Sequence, residues 1–108
     1  MVIKETSFFT KRVQRLLDKD SYRLLQLRLV ADPDAGALIQ GTGGLRKIRW
    51  EGSGRGKRGG VRIIYYYWTT EGAIYLLTIY AKSEKADLST ADKKALRKIV
   101  ESLERDHG

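Results

Sequence analysis

Three segments in the middle of the chain alternate with a period of two, and this pattern restricts the possible folds more than any other feature. They read LRKIRW from Leu45, VRIIYYYW from Val61 and AIYLLTIY from Ala73, with glycine-containing turns between them. Their many β-branched and aromatic residues are typical of strands. Because no helical pattern intervenes, the sequence predicts three consecutive antiparallel strands.

Helical periodicity lies on both sides of these strands. A short strand over residues 2–4 precedes two helices, the first with an apolar stripe at Phe9, Val13, Leu16 and Leu17. Asp20 or Ser21 is the predicted cap of the second helix, which ends near Pro33. A last helix begins at the capping box of Ser89 and Asp92.

This order predicts an α+β fold: a small antiparallel sheet with an N-terminal helical hairpin and a C-terminal helix. We expect all the helices on one face of the sheet. The 108 residues are about 0.7 of an average domain, so residues 1–108 are predicted to form a single domain.

Composition excludes several kinds of chemistry. Without cysteine there is no disulfide, thiolate nucleophile or cysteine zinc site, and His107, the single histidine, rules out any two-histidine metal site. The most apolar stretch has about nine residues, against the roughly 20 that span a bilayer. The N-terminal segment has no signal-peptide pattern. We therefore expect a cytoplasmic protein with no membrane partner.

Positive charge is concentrated in one part of the chain. Of the net +8, residues 41–68 carry +6, from seven Lys and Arg against one Glu, and hold eight of the 11 glycines. Gly54, Gly56 and Gly59 match GxGxxG, but they lead into a strand, whereas a dinucleotide-binding loop opens a helix. The segment therefore indicates a binding surface for anions and no nucleotide cofactor.

Alternation sorts the cations of this segment by face. Lys47 and Arg49 share one face, about 7 Å apart, which suits a phosphodiester. On the next strand, Arg62 shares a face with Tyr66 and Trp68, the kind of surface that stacks on unpaired bases. The alternative is that these residues have only structural roles, since charged residues on strands often form a solvated face and aromatic residues often belong to the core. From composition alone, nucleic-acid or phosphate binding is the favoured interpretation.

Carboxylates are scarce beside these cations. Glu51 is the only one within residues 41–68, which argues against a two-metal nuclease centre. Glu84 and Asp87 are the remaining weak acidic candidates. We predict no metal site.

The strings IQGTGGLRKIRW, GKRGGVRIIYYYW and YLLTIYAKSEKADLS resemble those of RelE/HigB-type toxins of bacterial toxin–antitoxin pairs, most closely the HigB-like branch. The resemblance covers nearly the whole chain. It implies the RelE-like fold and a small ribonuclease that enters the ribosomal A site and cuts mRNA through its 2′-hydroxyl, without metal or cofactor. It also implies two partners, the ribosome carrying mRNA and a cognate antitoxin that holds the toxin inactive.

By position, the family's catalytic cations fall on Lys47, Arg49, Arg62 and Lys82. The expected RNA-binding residues are Arg46, Lys57, Arg58, Tyr66, Tyr80 and Lys85. This chain has Ser83 where many RelE members have arginine, and Ser89 where they have a tyrosine proposed for proton transfer or stacking.

The predicted roles follow from charge. Arg62, supported by Arg49, would stabilise negative charge that develops on the phosphate. Lys47 and Lys82 are the hypothetical base and acid, in an order that the sequence does not assign. Two alternatives remain: a toxin of the same fold that poisons DNA gyrase, and a non-catalytic RNA-binding module. Retention of the four cations favours the nuclease.

Overall fold

The computed structural model describes residues 1–51 and 60–107, and the side chains of residues 1–51 and 60–106. In chain order the elements are β1 (Val2–Glu5), α1 (Ser7–Leu16), α2 (Lys19–Ala31), β2 (Ala37–Leu38), β3 (Leu45–Trp50), β4 (Val61–Trp68), β5 (Ala73–Ala81) and α3 (Thr90–His107). The α+β fold class and the order of helices and strands are confirmed, with β2 as an additional strand of two residues. The predicted RNA-binding residues Lys57 and Arg58 lie outside the described residues.

The sheet has five strands in the order β1-β5-β4-β3-β2. The three long strands β3, β4 and β5 pair antiparallel as predicted, and β2 adds to them at one edge. At the other edge β1 runs parallel to β5, so the sheet is mixed rather than purely antiparallel. A parallel pair is possible here because the two strands are far apart in the chain and are joined by long crossovers.

The prediction that all helices cover one face of the sheet was wrong. The α1–α2 hairpin packs on one face, where Phe9 and Leu25 join a core with Ile63. On the opposite face, Leu96 and Val100 of α3 join a core with Ile64 of β4. The physical reason is that β4 is apolar on both faces, and a central strand of this kind needs a cover on each side.

The two N-terminal helices begin at capped residues. The Thr6 hydroxyl accepts a hydrogen bond from the Phe9 amide at 3.1 Å, and the Asp18 carboxylate accepts one from the Ser21 amide at 2.8 Å. Asp18 is therefore the cap of α2, two residues before the predicted Asp20 and three before Ser21. Helix α2 ends at Ala31, two residues before Pro33, as predicted from the restriction that proline imposes on the residue before it.

Helix α3 begins at the predicted capping box. The Asp92 amide donates to the Ser89 hydroxyl, and the Ser89 amide donates to the Asp92 carboxylate, both at 3.0 Å. Among the described residues, no helix is both long enough and apolar enough to cross a membrane.

Candidate functional site

The register between β3 and β4 brings two predicted cations together. Arg49 lies directly opposite Arg62, and Lys47 lies opposite Ile64. The sequence left this register open because the connection between the strands is long. Alternation had placed Lys47 and Arg49 on one face, and Arg62 now joins them on the α3 face of the sheet.

Strand β5 extends this row to a third strand. Tyr80 is the antiparallel partner of Arg62, so Arg49, Arg62 and Tyr80 lie side by side across three strands. A bulge shifts the register where Ile64 pairs with Thr78 and the next residue pairs with Leu76, which makes Leu77 the extra residue. Because a bulge changes which residues of a strand face each side, it sets Tyr80 on the α3 face.

A cleft of about 410 Å³ opens beside this row. Its lining residues are Arg49, Trp50, Glu51, Arg62 and Lys82. We call the Arg49, Arg62 and Lys82 side of it the cationic cleft. Lys82 reaches it because its amide hydrogen-bonds the Gly60 carbonyl at 3.3 Å, at the point where the chain enters β4. Three of the four predicted catalytic residues therefore line one cleft.

The side chains of Arg62 and Trp50, two residues that line the cleft, are fixed by burial and hydrogen bonds. Arg62 is only 7% exposed, and its guanidinium donates to the Val61 carbonyl at 3.3 Å. The indole N–H of Trp50 donates to the Ser21 carbonyl at 3.2 Å, which ties the end of β3 to α2. The cleft thus presents a charge whose position is fixed by packing rather than by a flexible surface side chain.

The fourth predicted catalytic residue, Lys47, is paired with a carboxylate. Its ammonium donates to Asp87 at 3.2 Å, and Asp87 also accepts from the Leu88 amide at 2.8 Å. The backbone hydrogen bond from Leu88 and the hydrogen bond from Lys47 lower the pKa of Asp87 below its usual range. The sequence had indicated Asp87 only as a weak acidic candidate. Its pairing with Lys47 joins residues 40 positions apart, so no local pattern predicts it.

Two further ion pairs involve the segment between β5 and α3. Glu84 pairs with Arg12 of α1 at 2.6 Å, and Asp92 pairs with Lys85 at 2.8 Å. The carboxylates that follow β5 therefore act as partners of cations. In the part of the chain that the structure describes, no cluster of three or more acidic or histidine side chains is placed to hold a metal ion.

Tyr80, a predicted RNA-binding residue, is buried beside the cleft. It is 4% exposed, and its hydroxyl has no hydrogen-bond partner among the described residues. The Lys85 ammonium lies 5.8 Å from the centre of its ring. Burial, together with the nearby charge of Asp87, raises the pKa of Tyr80, so the hydroxyl keeps its proton at neutral pH.

Two other predicted RNA-binding residues lie away from this site. Arg46 is on the opposite face, where it donates to the Gly36 carbonyl at 2.7 Å and pairs with Asp34 at 3.1 Å. Tyr66 is on the α3 face but further along β4, and its hydroxyl donates to Glu104 of α3 at 2.9 Å. The structure gives both side chains contacts that hold neighbouring segments in place.

The arrangement suits a phosphodiester. Guanidinium groups donate hydrogen bonds in a planar fork that matches two phosphate oxygens, and Arg49 and Arg62 are on adjacent strands. Trp50, the neighbour of Arg49, also lines this cleft, while its side chain packs against the core on the α1–α2 face. The two guanidinium groups can hold a phosphate and stabilise negative charge that increases on it.

Solved structures of an E. coli toxin share this fold. The free E. coli toxin RelE carrying two arginine-to-alanine substitutions superposes with a TM-score of 0.58 at 13% identity, covering 79% of this chain and 86% of that chain. The isolated E. coli RelE toxin superposes with a TM-score of 0.57 at 15% identity, covering 91% of this chain and 97% of that chain. A chain of the intact E. coli RelBE toxin–antitoxin complex superposes with a TM-score of 0.56 at 14% identity, covering 74% of this chain and 94% of that chain.

Sequence comparison gives the family. The profile described as the RelE toxin of the RelE/RelB toxin–antitoxin system matches residues 6–106, nearly the whole chain. This match agrees with the fold and with the resemblance first seen in the strand motifs. The chain therefore belongs to the RelE family of toxin–antitoxin toxins.

Proposed function

We propose that this toxin, of the HigB-like branch, is a ribosome-dependent endoribonuclease that cuts mRNA in the ribosomal A site and is neutralised by a cognate antitoxin. The observation that carries the proposal is the meeting of Arg49, Arg62 and Lys82 in one cleft. Family membership supports the toxin role. The resemblance to the RelBE complex supports a protein antitoxin as partner.

The proposed reaction is an attack of a 2′-oxygen on the adjacent phosphorus. A base takes the 2′-hydroxyl proton, the new P–O bond forms, the P–O5′ bond breaks, and an acid returns a proton to the leaving 5′-oxygen. The products are a 2′,3′-cyclic phosphate and a 5′-hydroxyl end. This route needs no metal ion, because fixed cations stabilise the charge that grows on the non-bridging oxygens.

Arg62 is the proposed stabiliser of that charge. Its burial fixes the guanidinium, so little reorganisation is needed as the negative charge develops. Arg49, directly across the strand pair, supports it from the more exposed side. Removing one such donor commonly costs roughly 100- to 1,000-fold in rate.

The ion pair of Lys47 suggests an order for the proton transfers. Lys47 donates a hydrogen bond to Asp87 at 3.2 Å, and a lysine in this position has a proton to give to a leaving oxygen. Lys47 is therefore the proposed acid for the 5′-oxygen. Lys82, the other lysine of the set, is the proposed base.

A cell-free translation mix tests the proposal. Purified toxin should produce new mRNA 5′-hydroxyl ends at ribosomal positions, and Arg62→Ala should reduce the cleavage rate roughly 100-fold or more. Arg28→Ala is the matched control: it removes the same charge from the exposed outer side of α2, and should cut at the wild-type rate.

Three results would contradict the proposal in different ways. Arrest of DNA supercoiling with intact mRNA would indicate a gyrase poison. Salt-sensitive RNA binding with no cut strands would indicate a binding module. Cleavage by Arg62→Ala at the wild-type rate would exclude Arg62 from the mechanism while keeping the enzyme.

A further inference from the structure

A larger cavity, of about 590 Å³, lies between the start of α1, the second half of β5 and α3. Its walls are mainly apolar: Leu77 comes from β5, and Leu88 and Leu96 come from the α3 side. At its edge, Phe8 of α1 is 56% exposed. We call this cavity the α3 groove. Its volume is within the range of sites that take small organic groups.

One polar feature of the α3 groove is unexplained by the fold. Tyr80 lines the groove, and its buried hydroxyl has no hydrogen-bond partner among the described residues. Buried hydroxyl groups are nearly always hydrogen-bonded, because leaving one unpaired costs its full desolvation. A ligand with a hydrogen-bonding edge would remove that cost.

The α3 groove adjoins the cationic cleft. Tyr80 lines the groove, and its cross-strand partner Arg62 lines the cleft, so the two cavities meet at one pair of neighbouring residues on the same face of the sheet. A nucleotide has the same layout, with a charged phosphate joined through the sugar to a flat base. A strand held by its phosphate in the cleft therefore has a base within reach of the groove.

Resting on the ribonuclease function proposed above, we propose that the α3 groove is a nucleobase site. It holds one base of the RNA whose phosphate lies in the cationic cleft, and Tyr80 hydrogen-bonds the edge of that base. Bases are commonly bound in this way, with apolar contacts on their faces and hydrogen bonds at their edges. An apolar side chain would contact the same walls but leave the Tyr80 hydroxyl unpaired, whereas the edge of a base carries hydrogen-bonding groups and its strand also supplies the phosphate for the cleft.

Lys85 lies beside Tyr80 in the lining of the α3 groove. Its ammonium lies near the tyrosine ring and pairs with Asp92. The Lys85 and Asp92 side chains are 40% and 35% exposed. Exposed ion pairs contribute little to stability, so Lys85 can turn away from the ring at small cost. An entering strand also offers phosphates that replace Asp92 as its partner.

The test uses full-length toxin and 2′-deoxy trinucleotides of each base, which lack the attacking hydroxyl and cannot be cut. Amide NMR signals of Thr78, Leu88 and Ala95, all lining the groove, should shift on titration. Tyr80→Phe removes only the hydroxyl and should weaken binding about fivefold, the effect of one neutral hydrogen bond. Tyr75→Phe, a buried tyrosine on the same strand and face, is the matched control and should bind as wild type.

A stability measurement separates binding from folding. Because the Tyr80 hydroxyl lacks a partner in the free protein, Tyr80→Phe should unfold at a urea concentration no lower than wild type. Weaker binding together with undiminished stability supports the base site. Equal or tighter binding by Tyr80→Phe, or shifts restricted to residues of the cationic cleft, would overturn it.

The cell-free translation assay distinguishes a failure of the nucleobase site from a failure of the proposed ribonuclease function. If mRNA is cut and Tyr80→Phe binds the trinucleotides as wild type does, the groove proposal fails and the ribonuclease stands. If trinucleotides shift the groove signals in a Tyr80-dependent way but no mRNA is cut, the ribonuclease fails and a base-binding groove remains.

Discussion

Arg62 combines burial with a permanent charge. Arginine is seldom buried to 7% exposure, and keeping it there costs solvation that the surrounding structure must offset. In the proposed function, the benefit is a guanidinium that is already in place when a phosphate arrives. Lys47 is the contrasting case, a more exposed cation that forms an ion pair with Asp87 at 3.2 Å.

Asp92 gives a prediction about pH at the same scale. The hydrogen bond from Lys85, together with those from Ser89, lowers the pKa of Asp92 from 3.8 to about 2. A carboxylate with a lowered pKa in the folded state stabilises the protein above its unfolded pKa, and this contribution is lost as pH falls through the folded pKa. Wild type should therefore be more stable than Asp92→Asn at pH 7.

Urea unfolding at several pH values measures this difference. The gap between wild type and Asp92→Asn should be constant from pH 7 down to about 5 and should shrink between pH 4 and pH 2. A gap that stays the same over that range would mean that the Asp92 charge has no part in stabilising the start of α3.

At the scale of elements, the turns that join the strands control the site. Gly60 has a φ of +67°, and a β-carbon there would lie 2.2 Å from the Trp50 carbonyl oxygen. Gly72, in the next turn, has a φ of +62° but open space around it. The two glycines share the left-handed conformation and differ in crowding.

Substitution by alanine should separate the two effects. Gly72→Ala carries only the left-handed strain and should destabilise the fold by about 1 kcal/mol. Gly60→Ala adds a clash with backbone and should cost at least about 2 kcal/mol more, as for other strongly destabilising changes. Urea midpoints of the two variants compare them directly, and equal losses would show that the crowding at Gly60 relaxes freely.

The secondary-structure elements were the part of the structure that the sequence predicted best. Alternation identified β3, β4 and β5 and placed Lys47 with Arg49, because side-chain direction along a strand follows from backbone geometry alone. The opposition of Arg49 and Arg62 depends on register, which alternation within each strand does not determine. The partnership of Lys47 with Asp87 depends on tertiary packing of the segment after β5, so no local pattern carries it.

At the scale of the molecule, the charge is not distributed evenly. Residues 41–68 hold +6 of the net +8, whereas residues 69–108 sum to zero because seven cations match seven carboxylates. Within that neutral part, Lys85 is paired with Asp92, while Lys82 lines the cationic cleft. Of the two lysines that follow β5, Lys82 therefore adds to the positive charge of the cleft, whereas Lys85 is held by a carboxylate.

This distribution predicts how RNA binding depends on salt. If about three phosphates are contacted by Arg49, Arg62 and Lys82, the logarithm of affinity for a single strand should fall with the logarithm of salt concentration with a slope of roughly −2. Fluorescence anisotropy of a labelled 2′-deoxy strand between about 50 and 200 mM salt measures it. Arg49→Ala should make the slope shallower by about 0.7, since one phosphate contact is lost, whereas Arg28→Ala on the outer side of α2 should leave it unchanged. An equal change in both variants would mean that the strand responds to the overall charge of the molecule, and the cationic cleft would then have no special part in holding it.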